Sequence, residues 1–444
     1  MTNITPPQLL KTTVAGARWR ILLAGFLLAF MGGFSYAWGV LVAPIMERFG
    51  WTKAEASLPF TAFMVAFALV MVPAGRMQDR WGPRRVSTLG AVLFLVAYGL
   101  SSLVGYFPYA WWLVVTYGML GGAACGLTYA CIAPPARKWF PDKPGLAVST
   151  ALMGFGLAAL AVAPIKSEYL LYFHGIEGTF LIIGGLTLVV SLWAARTLKD
   201  PPTGWTPPGW KPAQTPTNTT LAELDLTPRE MIATPLFWII WLTLGSMISG
   251  GLMAIGLIPA YGLSIALTSA EAALAISVFA AFNGFGRPAA GFLADRYGIL
   301  PVMIASYIIQ AATLLGFPVL AVTQPGLYLA SALLGWGFAV TLGLFPVLTS
   351  SFFGVKHLGV NYGLVFTAFG IGALAPALGS LIFDLTSSYA LAFITAGVQA
   401  IVGLVLCIVI KIQYTGRENQ ARLVNSVELR RQRDSTGITA DDDN

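Results

Sequence analysis

The sequence predicts an all-α integral membrane protein with twelve transmembrane helices in two pseudo-symmetric six-helix bundles. Three observations carry this prediction. The 444 residues are 57% hydrophobic and only 10% charged, and the mean hydropathy is +0.75. The apolar residues fall into long runs separated by short polar stretches. One eight-residue pattern recurs at the same place in each half of the chain.

The composition excludes most soluble classes of protein. A soluble chain of this size carries roughly a quarter charged residues, so a surface this apolar indicates a lipid environment. The net charge of +7 does not indicate a nucleic-acid partner, because the basic residues lie in short loops between apolar runs. Cys125, Cys131 and Cys407 lie inside apolar runs. They are therefore expected to be buried core thiols rather than metal ligands or disulfides, and no metal or other cofactor is expected.

Twelve apolar runs are long enough to cross a membrane, which takes about 20 mostly apolar residues. Helices are expected rather than strands, because lipid offers no partner for an open backbone group. Scattered glycine and alanine residues suit tightly packed membrane helices. The predicted spans, numbered 1 to 12, are residues 20–46, 57–76, 85–105, 110–134, 145–170, 178–197, 236–262, 270–293, 301–322, 326–350, 360–384 and 388–411.

The distribution of basic residues predicts the orientation. If the N-terminus is cytoplasmic, the inside segments hold nearly all the lysine and arginine residues between spans, whereas the outside loops hold Arg48 and Lys53. The positive-inside rule then places both termini in the cytoplasm. We expect a multi-pass protein of the cell (inner) membrane that functions as a monomer.

The same pattern divides the chain into five regions. Residues 1–19 form a cytoplasmic N-terminus, 20–197 the N-terminal bundle and 236–411 the C-terminal bundle. Residues 198–235 form a Pro- and Trp-rich cytoplasmic loop between the bundles, in which Thr220 and Glu223 have the spacing of a helix capping box. Residues 412–444 end in three consecutive aspartates and are predicted to be a disordered cytoplasmic tail.

The repeated pattern is G-x-x-x-D-R-x-G, which follows span 2 and again span 8. The first copy holds Gly75, Asp79, Arg80 and Gly82, and the second holds Gly291, Asp295, Arg296 and Gly298. At equivalent points of a six-plus-six pattern, the two copies resemble the loop signature of the major facilitator superfamily. A glycine permits close helix contact, and an aspartate at a helix edge can pair with arginines and with the positive N-terminal end of a neighbouring helix. We expect both motifs to act as a conformational latch that also helps to set topology.

Further segments resemble the monocarboxylate-transporter and oxalate–formate antiporter branch of that superfamily. They are residues 33–37 (GFSYA), 138–147 (KWFPDKPGLA), 234–238 (TPLFW), 283–288 (NGFGRP) and 361–363 (NYG). Within this resemblance Asn283 stands where animal monocarboxylate transporters carry an aspartate, and Trp38 lies in the neighbourhood of their span 1 lysine. Phe369 stands where the oxalate carrier has a second cation, and Phe338 and Leu342 align with its span 10 tryptophan and tyrosine.

Arg287 is the main candidate for substrate binding. It precedes Asp295 by eight residues and therefore lies roughly 12 Å inside the nearer helix end. A cation at that depth costs at least about 2.5–3.5 kcal/mol and indicates function. No acidic residue lies at comparable depth in the predicted spans. The planar guanidinium suits bidentate carboxylate binding, so the missing anion is predicted to be the substrate. The alternative is a helix–helix clamp in which Arg287 binds backbone carbonyl groups.

Five other side chains are candidates for the same site. Asn283 lies one turn before Arg287 on the same face. Tyr36 and Tyr129 could offer hydroxyls to the second carboxylate oxygen, and Phe369 and Phe338 could form an apolar wall. Each aromatic residue could equally be helix packing. Lys166, at the outer end of span 5, is expected to snorkel to the interface and to have no binding role.

These residues predict a secondary active transporter for small monocarboxylates of the lactate and pyruvate class, working by alternating access. The family resemblance implies proton symport, although Asn283 does not titrate and the residue that carries the proton is not evident. A carboxylate exchanger of the oxalate–formate type is the alternative within transport. A substrate-sensing receptor with a transporter fold is the alternative outside it. An enzyme is not expected, because His174 and His357 lie at loop edges and no buried acid–base pair is present.

Overall fold

The computed structural model describes residues 6–202, 204–210 and 221–436, and all the regular structure in these residues is helical. Eleven described helices are long and apolar enough to cross a membrane, and one shorter apolar helix, Ile299–Leu315, completes the set of twelve. The predicted membrane fold of two six-helix bundles is confirmed.

The N-terminal bundle contains spans 1 to 6. Four of them, spans 1, 3, 4 and 5, change helix type along their length, which gives more elements than spans. The elements are Pro6–Gly32, the 3-10 turn Gly33–Trp38 and Gly39–Phe49 (span 1); Lys53–Trp81 (span 2); Pro83–Ser101 and the 3-10 turn Ser102–Gly105 (span 3); Ala110–Leu113, the π-helix Val114–Gly121, Gly122–Tyr129 and Ala133–Trp139 (span 4); Pro144–Ile165 and the π-helix Lys166–Leu171 (span 5); and Tyr172–Thr197 (span 6).

The C-terminal bundle contains spans 7 to 12. Two short elements precede it and a tail helix follows it. The elements are the 3-10 turn Leu221–Leu224 and Pro228–Ile232; Pro235–Ser264 (span 7); Ser269–Tyr297 (span 8); Ile299–Leu315 and Phe317–Leu320 (span 9); Gln324–Phe353 (span 10); Leu358–Gly372 and Ala375–Thr386 (span 11); Tyr389–Tyr414 (span 12); and Arg417–Thr436 (tail).

Spans 2 and 8 show how the repeat is built into the chain. Each begins at a threonine that caps the helix reciprocally with a glutamate, Thr52 with Glu55 and Thr268 with Glu271. Each ends at a glycine with positive φ, a conformation that glycine adopts at low cost. These signals occupy equivalent positions in the two halves, so both spans have the same length.

The sequence predicts span 9 as one helix over residues 301–322, whereas the structure divides it into two. Its long helix ends at Leu315, and the separate turn Phe317–Leu320 follows Gly316. The cause is local, because Pro318 disfavours helical geometry at the preceding residue and Gly316 stabilises a helix poorly.

The outer surfaces of both bundles are apolar. Exposed side chains include Leu69 in span 2, Val189 in span 6 and Val402 in span 12. Lipid tails suit these surfaces, and the protein is a multi-pass membrane protein.

The bundles meet along two helix pairs, span 2 with span 11 and span 5 with span 8. A Cβ atom at Gly75 would overlap the carbonyl oxygen of Gly359, and one at Gly291 would overlap that of Gly145. Both contacts lie at the face that carries the G-x-x-x-D-R-x-G motifs, which we call the basic face. The small residues there allow the backbones to touch.

The prediction of a disordered tail is wrong for residues 417–436, which form a helix. Val427 of this helix is buried, and the guanidinium of Arg431 lies 2.6 Å from the carboxylate of Glu230 in the loop between the bundles. This docking stabilises a helix that the tail composition alone does not predict. Residues 437–444 lie outside the described residues.

The loop between the bundles contains two short helical elements, and the first, the 3-10 turn Leu221–Leu224, begins directly after Thr220. The predicted cap at Thr220 lies outside the described residues. A capping box that was not predicted forms between Thr227 and Glu230 at the start of the second element, with Pro228 in the first helical position. The predicted cap at Thr220 stays a prediction.

Candidate anion-binding site and the contacts that close the basic face

Arg287 lies in the middle of span 8 and is completely buried. Its Nη1 donates to the carbonyl oxygen of Leu152 in span 5 at 2.8 Å. Its Nε and Nη2 donate to Oδ1 of Asn283 at 3.3 and 3.2 Å. These bonds use three of the five guanidinium N–H groups. The remaining N–H on each terminal nitrogen has no further acceptor within hydrogen-bond distance among the described residues, and the hydroxyl of Tyr129 lies near the guanidinium.

No carboxylate among the described residues pairs with Arg287. A buried charge is costly unless it is paired and hydrogen-bonded, and the two bonds to Asn283 share one oxygen. The bond to Leu152 makes Arg287 a clamp between the bundles, as the alternative interpretation expected. That bond still leaves two N–H groups for an anion, so clamping and anion binding are compatible.

Asn283 lies on the same helix face as Arg287, as the spacing predicted. It is 2% exposed, and its Oδ1 orients the guanidinium from one side. An amide oxygen carries no charge, so it holds the arginine without neutralising it.

The two tyrosines predicted for the site, Tyr36 and Tyr129, lie close enough to Arg287 for its charge to act on their hydroxyls. Both rings pack edge-on against Phe155 of span 5, at centroid distances of 4.9 and 5.5 Å. Tyr36 belongs to the 3-10 turn Gly33–Trp38, which interrupts span 1.

Tyr362 of span 11 is a further candidate for the site that could not be singled out from the sequence. It is 3% exposed, and among the described residues no partner lies within hydrogen-bond distance of its hydroxyl. The charge of Arg287 and the nearby hydroxyl of Tyr129 both act on it. The only sequence signal was its place in the Asn-Tyr-Gly segment at residues 361–363, which carried the resemblance but suggested no role. A buried hydroxyl without a partner costs about 1–3 kcal/mol, so Tyr362 is available to a ligand.

The two predicted wall residues have different surroundings. Phe369 is fully buried at the boundary between the bundles, with its ring centroid 6.0 Å from that of Phe67 in span 2. Phe338 packs against Phe279, at 5.7 Å, and the backbone of Gly251 inside the C-terminal bundle. No described contact joins Phe338 to Arg287.

Aromatic rings close the space between Arg287 and the basic face. We call this group the aromatic gate. It consists of Phe67 and Tyr129 from the N-terminal bundle and Tyr362, Phe366 and Phe369 from the C-terminal bundle. Phe366 contacts both N-terminal rings, at 5.0 and 5.6 Å. Its C-terminal members lie roughly 5–15 Å along span 11 from Gly359, at 1.5 Å per residue. The gate therefore reaches from near the basic face to about the depth of Arg287.

Both motif aspartates cap the N-terminus of a helix in the opposite bundle. The Asp79 carboxylate accepts from the backbone N–H groups of Gly359 and Val360 at 3.1 and 2.9 Å. The Asp295 carboxylate accepts from those of Gly145 and Leu146 at 2.7 and 2.8 Å. A negative group is stabilised at a helix N-terminus by the unpaired N–H groups and the helix dipole. These bonds join the bundles at the basic face.

The expected pairing of these aspartates with the motif arginines is not present. Arg80 and Arg296 are exposed, and no described bond joins either to an aspartate. Arg296 lies over the ring of Tyr297 instead. Arg137, at the end of span 4, crosses the boundary and donates to Oγ of Ser350 at 3.1 Å. This bond could not be predicted from the sequence, because its partners are distant in the chain.

Lys166 differs from its prediction. It does not snorkel to water, because it is only 3% exposed. Its Nζ donates to the carbonyl oxygen of Ala37 at 3.3 Å. It begins a π-helical turn, and Ala37 lies inside the 3-10 turn of span 1 with non-helical backbone angles. Two irregular backbone segments therefore meet at a buried lysine.

Comparison with known sequences agrees with this architecture. The sequence pattern of the Major Facilitator Superfamily matches residues 21–375 and 249–433. The chain is 29% identical to an oxalate:formate antiporter of Oxalobacter formigenes over 362 residues, which are 81% of this chain and 83% of that protein. It is 27% identical to human monocarboxylate transporter 11 over 417 residues, which are 88% of this chain and 82% of that protein.

Solved structures of low sequence identity share the fold. The crystal structure of the transporter FucP in the outward conformation superposes with a TM-score of 0.67 at 15% identity, covering 87% of this chain and 97% of FucP. The proton:xylose symporter XylE bound to 6-bromo-6-deoxy-D-glucose gives a TM-score of 0.66 at 14% identity, covering 93% of this chain and 99% of XylE.

Proposed function

The chain belongs to the Major Facilitator Superfamily, and from that premise we propose that it transports small monocarboxylates of the lactate and pyruvate class. Family and fold are those of transporters, not enzymes. The observation that carries the proposal is the buried guanidinium of Arg287, with two N–H groups free toward the described residues and no acidic partner among them. A carboxylate supplies both the missing charge and two acceptors.

A monocarboxylate fits the site better than a short dicarboxylate. Arg287 offers one cation, and the place of a second cation in the resemblance is taken by the buried ring of Phe369. A second carboxylate there would be desolvated without a partner, which is costly. The hydroxyls of Tyr36, Tyr129 and Tyr362 then serve the second oxygen of the single carboxylate, or a hydroxyl on the substrate.

We propose that the substrate enters with its proton. Asn283 stands beside Arg287 in place of a titratable residue, so the protein does not offer a carboxyl group there for proton transfer. An acid that binds at Arg287 can bring a proton in the same cavity. Anion exchange is the second candidate, favoured by the likeness to the oxalate:formate antiporter.

For the transport cycle, we propose that the basic face is cytoplasmic and that both termini lie on that side, in the cell (inner) membrane. The two aspartate latches and the aromatic gate hold that face closed in this conformation. When the latches break and the rings of the aromatic gate separate, one bundle can rock against the other and open the site to the cytoplasm, as in other transporters with repeated halves. The protomer is proposed to work alone.

Uptake of labelled lactate into liposomes tests the proposal. Wild-type protein should accumulate lactate when a pH gradient is imposed with no internal substrate, and a protonophore should abolish the accumulation. Uptake that requires a preloaded anion and ignores the gradient supports exchange instead. Absence of uptake under both conditions contradicts the assignment to small monocarboxylates.

A further inference from the structure

Lys166 is a second buried cation, separate from the site around Arg287. It is 3% exposed, and its described hydrogen bond is the one to the carbonyl oxygen of Ala37. An ammonium group carries three N–H donors, and one carbonyl at 3.3 Å satisfies it incompletely. No salt bridge among the described side chains includes Lys166; the side chain of Glu168 lies outside them.

Irregular backbone surrounds Lys166. The lysine begins the π-helix Lys166–Leu171, and Ala37 lies within the 3-10 turn that also holds Tyr36. Single π-turns inside helices occur frequently at functional sites. A lysine also stabilises the carbonyl end of a helical segment, so a purely structural role predicts that its charge matters only for stability.

The position of Lys166 relative to Arg287 follows from span 5. Arg287 bonds to the carbonyl of Leu152, and Lys166 follows Leu152 by fourteen residues toward the face opposite the basic one. At 1.5 Å per residue this separation is roughly 21 Å. A short carboxylate therefore cannot bridge the two cations, and each cation would meet the anion at a different moment.

We propose that Lys166 is a second anion-binding residue, which receives the carboxylate on its way between the face opposite the basic one and Arg287. This inference rests on the proposed function and deepens it. The same logic applies to both residues, since each is a buried cation whose described partners carry no negative charge. Tyr36, next to Ala37 and within the electrostatic reach of Arg287, lies between the two positions.

A transit site has a kinetic signature that a structural role lacks. Lys166→Met should slow lactate association at low salt by about tenfold, the lower end of the range for electrostatic steering. Dissociation should slow by the same factor, so that the equilibrium affinity set at Arg287 changes little. Association in the wild type should weaken as salt is added, and this dependence should be smaller in the variant.

Stopped-flow measurement of lactate binding by the full-length protein, with intrinsic tryptophan fluorescence, tests this prediction. Lys166→Arg is the matched control and should restore the association rate, because it keeps a cation. An unchanged association rate in Lys166→Met contradicts the inference. The inference is also contradicted if Lys166→Met lowers both the lactate affinity and the melting temperature and Lys166→Arg restores neither. That result would indicate that Lys166 is a structural clamp.

Two further outcomes decide the remaining alternatives. If Glu168→Gln reproduces the effect of Lys166→Met, a local ion pair explains the lysine and the inference fails. If wild-type protein binds no lactate, pyruvate or formate, the proposed function fails and the inference fails with it. Normal wild-type binding together with unaltered association in Lys166→Met rejects the inference alone.

Discussion

Span 2 and span 8 share the same signals at both helix ends, but they differ at the positions of Arg287 and Asn283. Both start at a capping box, end at a positive-φ glycine and present an aspartate to a helix of the other bundle. By the same alignment, Arg287 and Asn283 of span 8 correspond to Met71 and Phe67 of span 2. The repeat therefore retains the inter-bundle contact in both halves, whereas of these two spans only span 8 carries a buried cation.

The two latches also differ in what surrounds the aspartate. Asp79 is half-buried and follows Gln78, whose buried amide has no hydrogen-bond partner in the part of the chain that the structure describes. Asp295 is exposed and follows Ala294 at the position equivalent to Gln78. The Arg137 charge acts on Asp295, and Arg137 also bonds to Ser350 of the opposite bundle. The second latch therefore has a supporting bond that the first lacks.

The largest expected effect follows from changing the cation of span 8. Arg287→Lys keeps the charge but loses the planar fork and its bonds to Asn283 and Leu152. Each charge-assisted hydrogen bond contributes about 1.5–3 kcal/mol, so lactate affinity should fall by on the order of 100-fold. Isothermal titration calorimetry with purified wild type and variant measures this loss of lactate affinity. Met71→Leu, at the equivalent position of span 2, is the control and should bind normally; equal losses in both variants would contradict the difference between the halves.

The next effect concerns the neighbour of that cation. Asn283→Asp places a carboxylate one turn from Arg287, where it would pair with the guanidinium and compete with the substrate. Lactate affinity should fall roughly tenfold at pH values where the new carboxyl is ionised and recover as it is protonated, in keeping with about 1.4 kcal/mol per tenfold. Binding titrations across a pH series test this, with wild type as reference. A parallel pH profile for both proteins would place residue 283 outside the site.

The latches should differ in their effect on rate. Asp79→Asn and Asp295→Asn weaken bonds that hold the basic face closed, so turnover should fall more than affinity, because the residues bias a two-state equilibrium far from the substrate. Asp79→Asn should be the more severe, by about threefold, since Arg137 still joins the bundles when Asp295 is changed. A part-buried hydrogen bond contributes about 0.5–1.5 kcal/mol, which is consistent with a difference of this size. Transport rates and equilibrium binding are measured together. If affinity falls as far as rate, the latch interpretation is wrong.

Phe369→Lys should change selectivity more than overall binding. A second cation opposite Arg287 would meet the second carboxylate of oxalate, while lactate would leave it unpaired. The ratio of oxalate to lactate affinity should rise severalfold in competition assays. An unaltered ratio in a folded variant would show that Phe369 does not face the substrate, and Phe338→Lys serves as a comparison inside the C-terminal bundle.

The smallest effect is expected at the tail helix. The hydrogen bond from Arg431 lowers the pKa of Glu230 to about 2. The group is depressed, so its contribution is present above its ordinary pKa of 4.5 and is lost as the pH falls toward 2. Because the pair is exposed, Arg431→Ala should cost less than about 1 kcal/mol. Limited proteolysis should cut residues 417–436 faster in this variant while lactate uptake stays unchanged; loss of uptake would give the tail a role in transport.

Much of this architecture could be predicted from the sequence, because lipid allows few backbone solutions. The spans could be predicted from hydropathy, and the repeat from the two glycine–aspartate motifs. The proximity of Asn283, Tyr129 and Arg287 could be predicted from helical spacing and from the family resemblance. The aspartate caps could be predicted in part, because an aspartate at a helix edge can accept hydrogen bonds from the N–H groups at the start of a neighbouring helix.

The remainder depended on contacts between distant residues. The bond from Arg137 to Ser350, the free hydroxyl of Tyr362 and the burial of Lys166 against Ala37 have no signal within a single span. The prediction for Lys166 failed because snorkelling assumes a route to water, whereas the irregular turn of span 1 covers this lysine. The tail was misjudged because its helix is stabilised by docking on Glu230 rather than by its own composition.

The central claim is that Arg287 recognises the charge of a carboxylate, and competition between lactate and its neutral amide tests it most directly. Purified wild-type protein loaded with labelled lactate should release it on addition of unlabelled lactate or pyruvate, while lactamide, which has nearly the same shape and no charge, should displace it at least about 100-fold less well if two charge-assisted bonds are lost. Displacement by lactamide as effective as that by lactate would contradict the claim and make Arg287 a clamp between the bundles only.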